Sequence, residues 1–197
     1  MKVIMNEDHE YHAGKIIVPG VTQILSEAGL SDYRHMDPRE RDFYLSRGSS
    51  VDRATLLIDE GRLIKPAEGT EAYVRGYEKF VAETKFQAIE NQTMVASEQF
   101  WFAGTLDKIG RLFNKYAKAL IDVKCGGMMA HYHVQTAAYQ IAYDEQNPRS
   151  PIKERYVLSL MPDDYRLIPC KNTKDKRTFK SAIAIAEWRR LNGRVKK

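Results

Sequence analysis

The sequence predicts an α/β fold, with a central mixed β-sheet flanked by α-helices. Three observations lead there. Up to Lys85 the apolar residues recur at helical spacing. From Gln92 the texture changes to runs rich in Val, Phe, Trp and Thr. Beyond Lys124 an Ala- and Gln-rich helical stretch separates the apolar run ALIDVK from a second pair of strand-like segments. Helices, three strands, a helix, a hairpin and a last helix make a mixed order with the sheet in mid-chain.

The elements follow in turn. His9 to Val18 reads as a short hairpin around Ala13-Gly14, and Pro19-Gly20 breaks the chain after it. Thr22 is expected to cap a short helix reaching Gly29. Pro38 opens a second helix, with Glu40 and Arg41 in its first turn and Phe43, Tyr44, Val51, Ala54, Leu57 and Ile58 at helical spacing, and Gly61 ends it. Gly48 inside that helix costs stability and predicts close packing or a bend. A third helix runs from about Glu71 to Glu83, with Tyr73, Val74, Tyr77 and Phe80 on one face. Strands follow at Gln92 to Phe102, Gly104 to Phe113 and Ala119 to Lys124, the last apolar enough to be central. His131 to Gln146 is a helix. Glu154 to Leu160 and Tyr165 to Pro169 form a hairpin over Met161-Pro162-Asp163-Asp164, and Thr178 to Leu191 is the final helix, leading into Arg194-Val195-Lys196-Lys197.

The chain has 197 residues, and it contains no repeat, low-complexity tract or linker that would divide it into separate domains. Residues 1–197 are therefore read as a single domain, with a basic C-terminal helix and tail over about 178–197. Hydrophobic residues make up 43% and charged residues 29%, ordinary for a soluble globular protein. No apolar run approaches the ~20 residues of a membrane helix, and MKVIMNEDHE lacks a signal pattern, so the expected place is the cytoplasm with no membrane partner. The two cysteines, Cys125 and Cys170, are too few for a cysteine-only iron–sulfur cluster and read as reduced thiols. A net charge of +5 suits a polyanionic partner such as nucleic acid without requiring one.

Chemistry concentrates on two strands. Asp107 lies in Gly104-Thr105-Leu106-Asp107, and Asp122 and Lys124 lie in Ile121-Asp122-Val123-Lys124. Alternation along a strand puts Asp122 and Lys124 on one face. A turn at Asn114 to Lys118 would make the two strands neighbours and set Asp107 beside Asp122. Two carboxylates and an ammonium then converge, a set that suits phosphodiester hydrolysis with a hard cation such as Mg²⁺ or Mn²⁺. The lysine would position or deprotonate a water, or stabilise charge on the phosphate. An acid-x-Lys triplet alone is weak, since roughly one per hundred positions arises by chance. Glu83-Thr84-Lys85 is such a triplet at a helix end and serves as an internal control.

The run Ala103-Gly104-Thr105-Leu106-Asp107, then Ala119-Leu120-Ile121-Asp122-Val123-Lys124, then Gln135-Thr136-Ala137-Ala138-Tyr139 resembles the RecB-like branch of the PD-(D/E)XK nuclease superfamily. Gln135 and Tyr139, four apart, share one helical face. Val18-Pro19-Gly20-Val21-Thr22-Gln23-Ile24-Leu25 and Ser46-Arg47-Gly48-Ser49-Ser50-Val51-Asp52 extend the resemblance to phage and bacterial exonucleases, over about Tyr11 to Leu160. It implies a restriction-endonuclease-like core and Mg²⁺- or Mn²⁺-dependent cleavage of DNA. It also implies metal ligation by Asp107, Asp122 and the Val123 backbone carbonyl, a catalytic Lys124, and Gln135 and Tyr139 lining the site. A role in recombination, repair or phage DNA processing, as an exonuclease, follows from the same resemblance.

One position departs. The family commonly carries His where this chain has Asp52, a carboxylate and so a harder ligand. Asp52 is therefore expected either to replace the His at the metal, directly or through water, or to be an exposed helix acid. Glu98 is a further candidate acid, or a solvent-facing strand residue. Cys125, His131 and His133 invite a zinc reading, though their spacing matches no known ligand pattern. Either histidine could instead touch phosphate. No Gly-x-x-x-x-Gly-Lys-Ser/Thr motif occurs, so a helicase or recombination partner would be a separate polypeptide. Lys171, Lys174, Lys176, Arg177, Lys180, Arg189, Arg190, Arg194, Lys196 and Lys197 offer a basic face for the DNA backbone. The rival from another class is a non-catalytic nucleic-acid-binding protein on a nuclease scaffold.

Overall fold

A computed structural model describes residues 1–31, 37–62 and 65–193. Three short strands, β1 (Ile4–Met5), β2 (Tyr11–Ala13) and β3 (Ile16–Val18), form a small antiparallel sheet. The β2–β3 hairpin turns where Ala13-Gly14 predicts it. Helix α1 (Val21–Glu27) follows at once. Its N-cap is Gly20 rather than the expected Thr22. Gly20 is held extended by a bridge to Ala103, and its N–H donates to Gln23 Oε1 at 3.4 Å, so the chain turns helical before Thr22.

Helix α2 (Pro38–Asp59) has proline in its first turn and Asp37 as its cap, the carboxylate accepting from the Arg39 N–H at 2.8 Å. The helix runs straight on through Gly48. A Cβ there would meet nothing within 4 Å, so the expected close packing is not the reason for this glycine. Helix α3 (Glu71–Thr84) buries Val74, Tyr77 and Phe80.

The main sheet has the order β4-β5-β6-β7-β8, with β4 (Gln87–Ser97), β5 (Phe102–Arg111), β6 (Ala119–Cys125), β7 (Glu154–Met161) and β8 (Asp164–Pro169). Only β6 and β7 run parallel, and α4 (His131–Gln146) makes the crossover between them. Strand β4 begins at Gln87, ahead of the expected Gln92, because the edge strand starts with the partly exposed, mixed run Gln87-Ala88-Ile89-Glu90-Asn91, whose apolar Ile89 faces solvent. It stops at Ser97, where the Glu145 carboxylate accepts from the Glu98 and Gln99 N–H groups and holds the turn. Helix α5 (Asp175–Asn192) closes the chain; Arg194 to Lys197 lie outside the described residues.

Each face of the sheet is covered. Val21, Ile24 and Leu25 of α1, Ala138 and Ala142 of α4 and Phe179 and Ala182 of α5 pack with Val95, Leu106, Ile109 and Leu120 on one face. Val51 of α2 and Tyr77 and Phe80 of α3 pack with Leu112, Ile121, Leu158 and Leu160 on the other. This helix–sheet–helix layering is the predicted α/β class, with β6 at its centre.

Regular alternation fails at one place in β5. Leu106 and Ile109 both join the α4–α5 core, while Lys108 between them turns toward α2 and α3. The pairing with β4 skips Gln92 and Asp107, and the pairing with β6 ends at Lys108 and Ile121. The sheet opens at Asp107.

Candidate active site

The opening brings the expected residues together. With the β5–β6 ladder ended, Asp107 Oδ2 accepts from the Val123 N–H at 2.7 Å, so its side chain replaces a missing strand partner. Asp122, next on β6, is fully buried. Lys124 lies on the same strand face, its Nζ 2.9 Å from Asp122 Oδ2 in a close ion pair, while the buried Asp122 Oδ1 has no partner. The control triplet behaves otherwise: Glu83 is exposed, its carboxylate accepting from the Tyr165 hydroxyl at 2.8 Å, and Lys85 is the left-handed cap of α3.

Gln135 and Tyr139 of α4 face this centre, the Gln135 amide donating to the Tyr139 hydroxyl at 2.9 Å. Gly104 makes room for the ring: a Cβ there would sit 2.6 Å from Tyr139 Cε1 and 3.1 Å from Val21 Cγ2. The glycine of the Ala103-to-Asp107 run thus allows a tyrosine from the crossover helix to lie directly on β5. Burial raises the Tyr139 pKa, with the Asp122 charge adding to it, so the phenol stays neutral and can donate its own proton.

Asp52 reaches the centre from the other face. Arg47, one turn earlier on α2, donates to the Cys125 carbonyl at the end of β6 at 3.2 Å, and its guanidinium lies 4.7 Å from the Tyr73 ring centre and 5.0 Å from that of Tyr44. This anchors α2 beside Lys124 and explains why the Ser46–Asp52 run matters physically. Asp52 is not an exposed helix acid: its Oδ2 accepts from Gln92 Nε2 at 2.7 Å, and its Oδ1 is buried without a partner.

The electrostatics follow from three acids, one fully buried and two partly so, gathered around the Lys124 ammonium. Burial pushes the Asp122 pKa up to about 7, with Asp107 and Asp52 raising it and Lys124 opposing. Burial and the Asp107 charge push Asp52 up to about 6, against the pull of Lys108 and Lys124. For Lys124, burial would lower the pKa, but Asp122 and Asp107 outweigh it and hold the group above its ordinary value as an ammonium. Burial and the nearby Lys124 charge hold His131 below its ordinary value, which favours the neutral ring near pH 7.

Negative charge and orphaned carboxylate oxygens fit a divalent cation with oxygen ligands. Asp107, Asp122 and the Val123 carbonyl would hold it, with Asp52 beside them. Among the described residues no three His, Cys, Asp or Glu side chains close into a ready-made ion cage. A Mg²⁺-type site needs only one or two carboxylates, with water filling the rest. Cys125, His131 and His133 do not form such a cage either.

Beside this centre lies a cleft of about 1330 Å³, lined by Lys124 and Gln135 but by none of the three aspartates. Arg41, Arg47 and Arg189 give it positive charge, and Tyr44, Tyr73 and Tyr132 give it aromatic walls. His131 lines it and His133 does not. Glu98 is away from this centre, at the turn paired to the far end of β5, where it meets the N-terminal ammonium at 3.3 Å.

Sequence reasoning missed a second buried charge pair behind the site. Lys108 Nζ lies 2.6 Å from Asp59 Oδ2, both side chains being at most 3% exposed, and donates also to Asn91 Oδ1. A lysine between Leu106 and Ile109 in an otherwise buried strand was the available signal.

No protein-family model matches the chain, and no curated protein matches it. Among solved structures, the chain is similar to a candidate exonuclease from Eubacterium rectale, at 15% identity and a TM-score of 0.47, over 78% of this chain and 69% of that one. It is also similar to an alkaline exonuclease from Laribacter hongkongensis, at 13% identity and a TM-score of 0.36, over 90% of this chain and 94% of that one. The same enzyme in complex with dAMP matches at 12% identity and a TM-score of 0.36, over 91% and 95%. At such scores these likenesses carry no weight for the activity, which has to be argued from the site itself. No helix among the described residues is long and apolar enough to cross a membrane.

Proposed function

We infer that this protein is a Mg²⁺- or Mn²⁺-dependent deoxyribonuclease acting as an exonuclease. The observation that carries this reading is the set of Asp52, Asp107 and Asp122 around one ammonium, Lys124, with Asp122 Oδ1 and Asp52 Oδ1 buried and unpartnered and Asp122 Oδ2 held by the ammonium alone. Structural ion pairs rarely leave carboxylate oxygens in that state. A bound divalent cation would polarise the phosphodiester and acidify a water.

The chain's own residues supply the rest. Asp107, Asp122 and the Val123 carbonyl hold the cation, with Asp52 beside them. Lys124 reaches from the acids into the cleft, where its charge stabilises the phosphate as negative charge builds up on it. Gln135 fixes the Tyr139 hydroxyl, which is left with one proton to donate to a phosphate oxygen. The cleft's arginines suit the DNA backbone, and its tyrosines give bases surfaces to stack on. Any unwinding would come from a separate helicase or recombination protein. Recombination, repair or phage DNA processing are the settings that fit such an enzyme.

The test uses purified protein with end-labelled single- and double-stranded DNA, in Mg²⁺, Mn²⁺ or EDTA. Cleavage is expected only with metal, as a ladder growing from the ends, and Lys124→Ala should lower its rate about a hundred- to a thousandfold. A folded protein that binds DNA and cuts with neither metal would overturn the enzyme reading in favour of a non-catalytic DNA-binding protein.

A further inference from the structure

The middle of β4 contains an anomaly that the resemblance does not cover. Gln92 has a φ of +48°, in the left-handed region that a non-glycine residue adopts only at a cost. It drops out of the ladder opposite Asp107, although its neighbours pair normally, Asn91 with Lys108 and Thr93 with Leu106. Its side chain is exposed at the sheet edge, yet its amide ends 2.7 Å from the Asp52 carboxylate on α2. The oxygen it binds is Oδ2, and the other, Oδ1, is the buried one without a partner.

We propose that Gln92 is a positioning residue for the cation site: its strained backbone delivers an amide that clamps Asp52 with Oδ1 free. This rests on the metal-dependent reading above. The chemistry of the clamp is specific. An amide N–H gives a carboxylate a directed bond while adding no charge. A lysine at this position would cancel some of the negative charge that attracts the cation, and a glutamate would repel Asp52. The location is also apt, because the left-handed turn falls where the sheet opens at Asp107. The distortion thus sends the Gln92 amide to Asp52 at the level where Asp107 leaves its β4 pairing and bonds the Val123 N–H.

The experiment compares Mn²⁺ affinity, read by electron paramagnetic resonance without DNA, for wild type, Gln92→Gly, Asp52→Asn and the double variant. Glycine tolerates a positive φ, so Gln92→Gly removes the amide while relaxing the backbone. Its metal-free melting temperature should equal or exceed that of wild type, while Mn²⁺ binds about tenfold more weakly. In the Asp52→Asn background the same change should weaken binding less than about twofold, since the clamp then has nothing to orient. Unchanged affinity in Gln92→Gly, or an equal loss with and without Asp52, would overturn the clamp while leaving the metal site standing. A wild-type protein that binds no Mn²⁺ would sink the metal-dependent reading and the clamp together.

Discussion

Two of the buried charge clusters among the described residues are built on opposite rules. At the far side of α4, Arg155 donates to the His133 carbonyl at 3.0 Å, to Thr136 Oγ1, to the Cys170 and Asn172 carbonyls, and to Asp175 Oδ2 at 3.2 Å. Arginine and aspartate are each 7% exposed, and charge is matched one to one. The Asp52–Asp107–Asp122–Lys124 cluster buries Asp122 completely and the other three in part, and it is unbalanced, with acids in excess and one oxygen each of Asp52 and Asp122 unpaired. The first cluster joins α4, β7, β8 and the start of α5. The second leaves something for a ligand to complete. Burial alone does not mark a functional site; buried charge without its counter-charge does.

The sharpest test is to remove one member from each. Arg155→Ala leaves Asp175 buried and unpaired and should destabilise the fold by about 3–5 kcal/mol, with little effect on the activity of the molecules that remain folded. Asp122→Asn should do the reverse. At pH 8 the metal-free protein should gain on the order of 1–2 kcal/mol, some of the relief being offset by the buried amide, while cleavage disappears. Urea titrations in EDTA measure both, and destabilisation by Asp122→Asn would erase the contrast between the clusters.

A pH series sharpens it. The folded-state pKa of Asp122 is about 7 and that of Asp52 about 6, both above the ordinary carboxylate value. A raised carboxylate contributes stability that is fully present below its unfolded pKa and lost as pH rises through the folded one. The metal-free protein should therefore weaken between about pH 4 and 7. Mg²⁺ should raise the melting temperature little at pH 5 and most by pH 8. An equal Mg²⁺ increment at both pH values would contradict this. The smallest effect on activity is expected at Gly104→Ala, where the new methyl displaces the Tyr139 ring, at a cost of about 1–3 kcal/mol in stability and a partial loss of cleavage.

The same contrast governs what was legible in the sequence. The hairpins, the central strand ALIDVK and helix His131–Gln146 could be read because period and turn residues are local signals. The meeting of Asp107 with Asp122 and Lys124 followed from one short turn. The first half of β4 was not legible, because an edge strand with a solvated face need not be apolar. Thr22 has the residue type of a cap without being one, because the bridge from Gly20 to Ala103 that starts the helix earlier is a long-range contact. Gln92 on Asp52 and Lys108 on Asp59 join residues far apart in the chain, and nothing in their local sequence announces a partner.

The order β4-β5-β6-β7-β8 follows the order of the chain, so every neighbour in the main sheet is also the next strand to be synthesised. Short loops cost little to close. A chain leaving the ribosome can fold β4, β5 and β6 into a meander as they emerge, and that meander already carries Asp107, Asp122 and Lys124. Helix α2 is made earlier, but Asp52 has no clamp until Gln92 arrives. Gln135 and Tyr139 come later still. On the proposed reading the site is therefore complete only once α4 has docked on a finished sheet, and cutting power would come last in synthesis.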